Sequence, residues 1–426
     1  MLKTISDFTL VAGPKVGTGA LTLGFNLWLL HIWSPEQYGL FAICTTAIML
    51  TDAILGSSID MATLRLSPNR RETDATAAQE TEQAALQMKV LVVAASLPVV
   101  WLAARPLSQI LFHQPGLEVL IAVTMAGAVA LLLLRSVLVH AQLRQRFHEY
   151  SLLEVIHSAF KFGGAGLLLL IAPKAAIHSV LVFFVIGPLT AFGVGMAMFR
   201  GHLLCSFRLQ RERIAELFRH VKWYALSGGI GNLVGRMDLF ILSASASLGS
   251  AGIFAAGQSF AGVPWLVASY LSVVLSPRIL PHMEAGTCRE FYLRVQIVLI
   301  AVAVLAIVLA IAVMSSALEL LPAAFRESAD IFLILLAGNL VSFATFPVAL
   351  PLVMFIRPRF VVLMDCIALP VLFALYSLAV SSHGAIGVAW VTTTSLIVRG
   401  GLVQTFAWRL TGRACPPTVA PVGQTT

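Results

Sequence analysis

Long apolar segments recur along the whole chain, and they constrain its fold more than any other feature. The segments at 90–104 and 297–313 are almost entirely apolar and rich in Leu, Val and Ala. About 20 helical residues cross a hydrocarbon core roughly 30 Å thick. A membrane β-barrel would instead alternate apolar and polar residues with a period of two. The sequence therefore predicts an all-α polytopic membrane protein.

Hydropathy predicts about twelve transmembrane helices. Their ranges are 9–33, 38–64, 88–104, 117–140, 150–172, 177–199, 223–248, 251–276, 291–315, 328–356, 360–381 and 385–408. Composition agrees, because only 11% of the 426 residues are charged, against about 25% in an ordinary globular chain. The first segment is too long for a signal-peptide core, so we expect it to be retained.

The basic residues predict the orientation of these helices. With a cytoplasmic N-terminus, 20 of the 28 Lys and Arg residues fall in cytoplasmic segments and three, Arg105, Lys174 and Arg326, fall outside. This bias follows the positive-inside rule and predicts that both termini are cytoplasmic. The net charge of +8 is then explained by topology and contact with anionic lipid, and nucleic acid is not an expected partner.

Short motifs repeat at an offset of half the chain. GLFA at 39–42 is matched by GIFA at 252–255, R-x-x-P at 65–68 recurs at 278–281, and R-x-R-F at 144–147 recurs at 357–360. Six helices per half give both halves the same orientation, as in transporters built from parallel repeats. We therefore expect two pseudo-symmetric six-helix lobes at 1–199 and 223–410, a cytoplasmic amphipathic linker at 200–222 and a cytoplasmic tail at 411–426.

Three segments carry a resemblance to a known family. SPEQYGLFA at 34–42, RMDLFIL at 236–242 and GIFAA at 252–256 resemble the polysaccharide flippases of the multidrug/oligosaccharidyl-lipid/polysaccharide exporter superfamily. The resemblance implies a flippase of the bacterial inner membrane that moves an undecaprenyl-pyrophosphate-linked oligosaccharide to the periplasmic leaflet. Its product would enter surface polysaccharide, either the O-antigen of lipopolysaccharide or an exopolysaccharide. The partners considered are the lipid-linked oligosaccharide, the bilayer, and the polysaccharide polymerase and export machinery.

Charged residues inside the predicted helices are the candidate site residues, because a charge at bilayer depth is costly unless it is paired or hydrated. Arg236, Arg399, Lys161, Asp238 and Asp52 lie near the midplane and are predicted to line the lumen between the lobes. The two arginines and the lysine are suited to pyrophosphate. A further group of charges lies near the predicted cytoplasmic ends, where long side chains reach water, and a structural role is favoured for it: Lys15, Asp60, Arg135, Glu154 and Asp365.

One helical stripe combines an acid, an imidazole and a base. Glu154, His157 and Lys161 follow at intervals of three and four residues, which places them on the same helix face. That face is predicted to line the lumen. Asp52, Glu154 and His157 are the candidates for proton or ion coupling, although a hydrogen-bonded structural histidine is the favoured role for His157.

No motif indicates catalysis, a cofactor or a bound metal. The five cysteines are far apart in the sequence, and neither H-E-x-x-H nor a P-loop is present. We therefore expect no catalytic residue, cofactor or metal. A cation-coupled multidrug exporter of the same superfamily remains the alternative. A membrane glycan polymerase or ligase is disfavoured, because the predicted outside loops are short.

Overall fold

The chain is almost entirely helical in the computed structural model, which describes residues 2–71, 75–112, 117–203 and 211–411. No β-strand occurs in these ranges. Two π-helical turns, Asp52–Gly56 and Ala159–Gly163, interrupt the helices. The helices of the first half are α1 Leu2–Ile32, α2 Pro35–Thr51, α3 Ser57–Arg71, α4 Ala75–Phe112, α5 Glu118–Leu143, α6 Phe147–Ser158, α7 Gly164–Ile171, α8 Ile177–Met198 and α9 Arg200–Leu203. Those of the second half are α10 Arg211–Val234, α11 Met237–Ser245, α12 Leu248–Ala261, α13 Val263–Glu284, α14 Cys288–Leu320, α15 Ser328–Thr345, α16 Ala349–Ile356 and α17 Pro358–Thr411.

Each of the twelve predicted transmembrane segments lies on these helices, in some cases on two consecutive ones. Seven helical stretches of the described ranges, counted through the π-turns, are long and apolar enough to cross a membrane. The number is eight if the pair Leu248–Ala261 and Val263–Ser269, bent by 45°, counts as one. The last two predicted segments both lie in α17. Gly384 separates them with φ 57° and ψ −138°, a backbone conformation that residues with a Cβ rarely adopt.

The starts of α2 and α12 are capped in the same way at the repeat offset. Ser34 caps α2, where its Oγ accepts from the backbone N–H of Gln37 at 3.4 Å. Ser247, 213 residues later, accepts from the backbone N–H of Ser250 at 3.0 Å. A serine that accepts from the third residue after it satisfies an N–H that has no partner inside the helix. The repeat is therefore visible in local hydrogen bonding as well as in sequence.

Contacts divide the chain into two compact units. Unit 1 contains Met1–Ala255 and Ala368–Ser381, and unit 2 contains Ala256–Ile367 and Ser382–Thr426. The lobes at 1–199 and 223–410 stay a prediction. Of the predicted tail, residues 412–426 lie outside the described residues, as do residues 204–210 of the predicted linker.

Residues 211–222 of the predicted amphipathic linker begin a longer helix in unit 1. α10 continues from Arg211 through the expected boundary at 222 to Val234. Its apolar positions Ile214, Leu217 and Val221 pack with residues of α3 and α4, while Phe218 is exposed. The ion pair between Arg213 and Glu80, 3.2 Å from Nε to Oε2, fastens the same face to α4. Much of the apolar stripe is thus covered by protein.

The core of unit 2 forms where α14, α16 and α17 meet. Tyr292 of α14 packs with Val353 of α16 and with Val403 and Ala407 of α17. Nearer the middle of α17, the hydroxyl of Thr393 donates to the carbonyl of Ile334 on α15 at 2.7 Å. These contacts fix the face of α17 that packs against the rest of the unit.

Candidate functional site

Both π-helical turns carry a residue that the sequence singled out. Asp52 is the first residue of the turn Asp52–Gly56, and Lys161 is the central residue of the turn Ala159–Gly163. A π-turn inserts an extra residue into a helical turn, and such turns occur frequently at functional sites. Both turns lie in unit 1. The two residues are therefore presented by locally distorted backbone.

Asp52 is buried, with 4% of its surface exposed. Its Oδ2 lies 3.2 Å from Nε of Arg135 on α5, while its Oδ1 has no hydrogen-bond partner. A Cβ at Gly56 would lie 2.6 Å from that Oδ1, so the glycine provides the space in which the carboxylate sits. A buried carboxylate with one arginine partner and one free oxygen is a strong acceptor in a region of low dielectric constant.

Arg135 is the site residue for which the sequence favoured only a structural role. Its side chain is 51% exposed, although it pairs with a buried aspartate. It also interacts electrostatically with Asp60, Tyr150 and Glu154. The pair with Asp52 uses Nε, and the two Nη groups make no other ion pair or hydrogen bond within the described ranges. The guanidinium is therefore anchored on one edge and open on the other.

Two members of the predicted stripe on the fifth transmembrane segment, Glu154 and His157, lie side by side on α6. Nδ1 of His157 lies 3.9 Å from Oε2 of Glu154, which is too long for a hydrogen bond. The Tyr150 hydroxyl donates to Oε1 of Glu154 at 3.4 Å. His157 interacts electrostatically with both Lys161 and Arg135. Glu154 and His157 thus interact with Arg135 on one side and with Lys161 on the other.

Lys161 lies among aromatic rings. Its Nζ is 4.6 Å from the ring centre of Phe162 and 4.4 Å from that of Phe184. Attraction to ring faces stabilises a cation by about 0.5–2 kcal/mol. Gly187 of α8 permits the close packing of this turn, since a Cβ there would lie 3.0 Å from the backbone N of Lys161. Lys161 also interacts with the charge of Glu154.

A second polar cluster of unit 1 lies where α3, α4 and α5 meet. Lys89, expected in a cytoplasmic segment, is instead buried, and its Nζ lies 2.6 Å from Oδ1 of Asp60. Glu82 lies 2.6 Å from Nδ1 of His140 and accepts from Ser67 at 2.8 Å. Burial opposes ionisation of Glu82, but the contacts with His140 and Ser67 hold its pKa below the ordinary value. This cluster joins three helices.

Arg236 and Asp238 lie at the break between α10 and α11. Arg236 is half-buried at the N-cap of α11, and Asp238 is fully buried. Oδ1 of Asp238 accepts from the backbone N–H of Leu239 at 2.7 Å. Their contribution to a lumen stays a prediction.

In unit 2, Arg399 is paired with Asp365. Its Nη2 lies 3.1 and 3.2 Å from the two carboxylate oxygens. The arginine side chain is 35% exposed, and the aspartate is buried. The sequence named Arg399 as a site residue but favoured a structural role for Asp365, and the structure places the two in one pair. Among the described residues, no group of three or more His, Cys, Asp or Glu side chains is arranged to hold a metal ion.

An all-α, multi-pass fold with charges embedded in its helices is typical of membrane transporters. Residues 14–282, more than half of the chain, match the family described as "Polysaccharide biosynthesis protein". The chain belongs to this family. A comparison with curated protein sequences gives no significant match.

Solved structures confirm the predicted fold class. The lipid II flippase MurJ in an inward closed conformation has a TM-score of 0.71 at 12% identity, over 94% of this chain and 87% of that one. A mutant of the Vibrio cholerae MATE transporter VcmN has a TM-score of 0.66 at 14% identity, over 96% and 98%. An inward-facing multidrug resistance MATE transporter of the MOP superfamily has a TM-score of 0.68 at 10% identity, over 92% and 94%. The chain therefore has the polytopic fold of these transporters.

Proposed function

We propose that the protein is an alternating-access flippase. It moves an undecaprenyl-pyrophosphate-linked oligosaccharide from the cytoplasmic to the periplasmic leaflet of the bacterial inner membrane, for O-antigen or exopolysaccharide synthesis. Both termini are cytoplasmic in this proposal, as the basic residues indicate. Membership of a polysaccharide biosynthesis family supports the pathway, and the fold shared with a lipid II flippase supports a lipid-linked cargo.

The open edge of Arg135 carries the proposal. A guanidinium with both Nη groups available matches the paired oxygens of a phosphate. Asp52 fixes its orientation through Nε, so little side-chain entropy is lost when an anion binds. Lys161, which interacts with Glu154 as Arg135 does, adds a second positive charge. Arg135 and Lys161 therefore bind the pyrophosphate, and Asp52, Glu154 and His157 are the groups whose charge changes during the cycle.

A cation-coupled exporter of amphiphilic drugs is the second candidate. The fold similarity to multidrug transporters favours it, and so does the buried, partly unpartnered carboxylate of Asp52. Such an exporter needs an acidic group that binds a cation or proton, whereas a pyrophosphate carrier needs the arginine. Glycan polymerase or ligase activity is the less favoured alternative, because the predicted outside loops are short.

Reconstitution with a defined lipid tests the proposal. Purified protein in liposomes should bind and translocate a lipid-pyrophosphate glycan, and Arg135→Gln should abolish binding. Arg326→Gln is the matched control, because it removes an exposed arginine in a predicted outside loop. Deletion of the gene should reduce surface polysaccharide. If the protein neither binds the lipid nor affects surface polysaccharide, and deletion instead sensitises cells to amphiphilic cations, the drug exporter replaces the flippase.

A further inference from the structure

The two R-x-R-F turns of the repeat differ in how their arginines are compensated. In unit 1, Nε of Arg146 donates to Oε1 of Glu149 at 2.8 Å, and Nη2 of Arg144 lies 3.7 Å from Oε2 of Glu82. The corresponding side chains of unit 2 are exposed, and with other described residues they make neither an ion pair nor a hydrogen bond: Arg357 and Arg359. Carboxylates therefore occupy the arginines of the first turn, whereas those of the second are available to a ligand.

The start of α14 and both ends of α17 lie together at one end of unit 2. Phe360, near the start of α17, stacks on Phe406, near its end, with the ring centres 4.3 Å apart. Cζ of Arg289 on α14 lies 4.4 Å from the ring centre of Trp408 on α17. Four exposed arginines therefore share this end of the unit: Arg289, Arg357, Arg359 and Arg409.

The acidic residue beside Arg289 does not offset this charge. Glu290 is paired with Arg294, four residues farther along α14. Arg289 is instead held against the face of Trp408, and attraction to a ring face uses none of the N–H groups of a guanidinium. Guanidinium donors that no carboxylate occupies are suited to a phosphate group. This end of unit 2 therefore offers several such donors at one place.

Buried polar atoms without a partner lie next to the Trp408 ring. The hydroxyl of Tyr292, whose ring centre is 6.3 Å from that of Trp408, has no hydrogen-bond partner among the described residues. The same holds there for both amide atoms of Gln296, one turn along α14, and for Oε1 of Gln404, one turn before Trp408 on α17. Because α14 starts and α17 ends here, both glutamines lie one turn farther into the unit. Buried polar atoms are normally hydrogen-bonded, so these mark a place for the hydroxyl groups of a ligand.

We propose that this end of unit 2 binds an anionic phospholipid whose headgroup carries hydroxyl groups. The exposed arginines bind the phosphate, and Tyr292 with the two glutamines binds the headgroup hydroxyls. Trp408 lies at headgroup level, as tryptophans do at membrane interfaces, and basic sites between helices near a membrane surface take lipids of this kind. The matched turn of unit 1 does not bind, because Glu82 and Glu149 occupy its arginines. The proposal depends on the membrane fold and not on the transported cargo.

The lipids retained by the purified, full-length protein test the site. Native mass spectrometry counts them after equilibration with equal amounts of phosphatidylglycerol and phosphatidylcholine that have the same acyl chains. The wild type should retain phosphatidylglycerol preferentially, and Arg357→Gln with Arg359→Gln should lower the retained amount at least about fivefold. Arg200→Gln with Arg211→Gln is the matched control, because it removes the same charge from exposed positions of unit 1, and retention should change less than about twofold.

A second measurement separates the hydroxyl groups from the charge. Phosphatidylethanol has the same charge as phosphatidylglycerol but no headgroup hydroxyl. The wild type should prefer phosphatidylglycerol over phosphatidylethanol, and Tyr292→Phe, which keeps every arginine, should lower that preference about threefold. With acyl chains brominated, phosphatidylglycerol should also quench tryptophan fluorescence more strongly than phosphatidylcholine does, and Trp408→Phe should remove most of that difference.

Three results would overturn the phospholipid site. The first is an equal loss of phosphatidylglycerol in the two arginine double variants, which would reduce the effect to overall charge. The second is a wild type that retains both phospholipids, or both anionic lipids, equally. The third is retention of a lipid-pyrophosphate glycan in preference to phosphatidylglycerol, lost in Arg357→Gln with Arg359→Gln, which would assign this end to the cargo. Because no transport is measured, failure of the flippase proposal would leave these results unchanged.

Discussion

Each unit buries an aspartate beside an arginine, yet the two pairs leave different atoms available. Asp52 pairs with Nε of Arg135, whose guanidinium is half exposed and open at both Nη groups. Asp365 engages Nη2 of Arg399 with both oxygens. The pairs are also unrelated by the repeat, since residue 265, at the offset from Asp52, is a tryptophan. The repeat therefore preserves the helix caps and the backbone contact between Gly39 and Gly252, while these two ion pairs do not follow it.

Arg399→Ala should give the largest effect in this comparison. It leaves Asp365 buried without its cation, which costs about 3–5 kcal/mol. We expect much lower abundance and a lower Tm in detergent. Asp365→Asn combined with Arg399→Gln should restore most of both. If Arg399→Ala is as stable as the wild type but no longer exports glycan, Arg399 binds the substrate directly, as the sequence predicted.

Asp52→Asn with Arg135→Gln is the matched change in unit 1. Neutralising both partners avoids an unpaired buried charge, so abundance should stay close to that of the wild type. Binding of the lipid-pyrophosphate glycan should weaken by about 30-fold or more, which corresponds to roughly 2 kcal/mol. The double change in unit 2 should retain most of the binding. If both double variants, measured as purified protein, lose glycan-lipid binding to the same extent, the two ion pairs do not differ in substrate binding.

Glu82→Gln tests whether the second cluster of unit 1 is structural. Loss of a buried, hydrogen-bonded charge should lower stability by about 1–3 kcal/mol at neutral pH. The pKa of Glu82 is lowered in the folded protein, so its stabilisation is present above the unfolded pKa and is lost as pH falls through the folded pKa. The difference in Tm between variant and wild type should therefore shrink below about pH 4. A constant difference across that range contradicts an ionised Glu82.

Lys161→Met should have the smallest effect. It removes a positive charge from the proposed pyrophosphate site without breaking a direct ion pair, so lipid binding should weaken about fivefold, which corresponds to roughly 1 kcal/mol, with little change in Tm. Lys174→Met, an exposed lysine, is the control. Lys161→Arg should retain most of the binding. A large fall in Tm for Lys161→Met would indicate a packing role instead.

Much of the fold could be predicted from one sequence because spanning helices are set by local hydropathy. The twelve segments, the repeat and the Glu154–Lys161 stripe all follow from spacing within one helix or from direct comparison of two segments. Lys89 shows the limit of that reasoning. Its position next to a polar segment indicated water, but α4 carries it into contact with Asp60.

The pairing of charges on different helices could not be predicted. Asp52 and Arg135 meet because α2 and α5 pack together, and hydropathy does not give the rotation of one helix against another. The π-turns at Asp52 and Lys161 were equally invisible, since one inserted residue leaves the composition unchanged. Arg135 near a predicted helix end therefore suggested a side chain that reaches water, and its partner was missed.

Gly39 of α2 and Gly252 of α12 meet backbone to backbone, since a Cβ on either would lie 2.9 Å from the backbone N of the other. This contact fixes the rotation of the two helices about their axes. Adding or removing one residue between Ser34 and Gly39 would turn the following helix by about 100° and would present Tyr38 or Leu40 to α12 in place of the glycine. An insertion between the cap and the glycine of α2 or α12 would therefore break the contact between the two helices. The number of residues between the capping serine and the glycine is therefore fixed on both helices by this one contact.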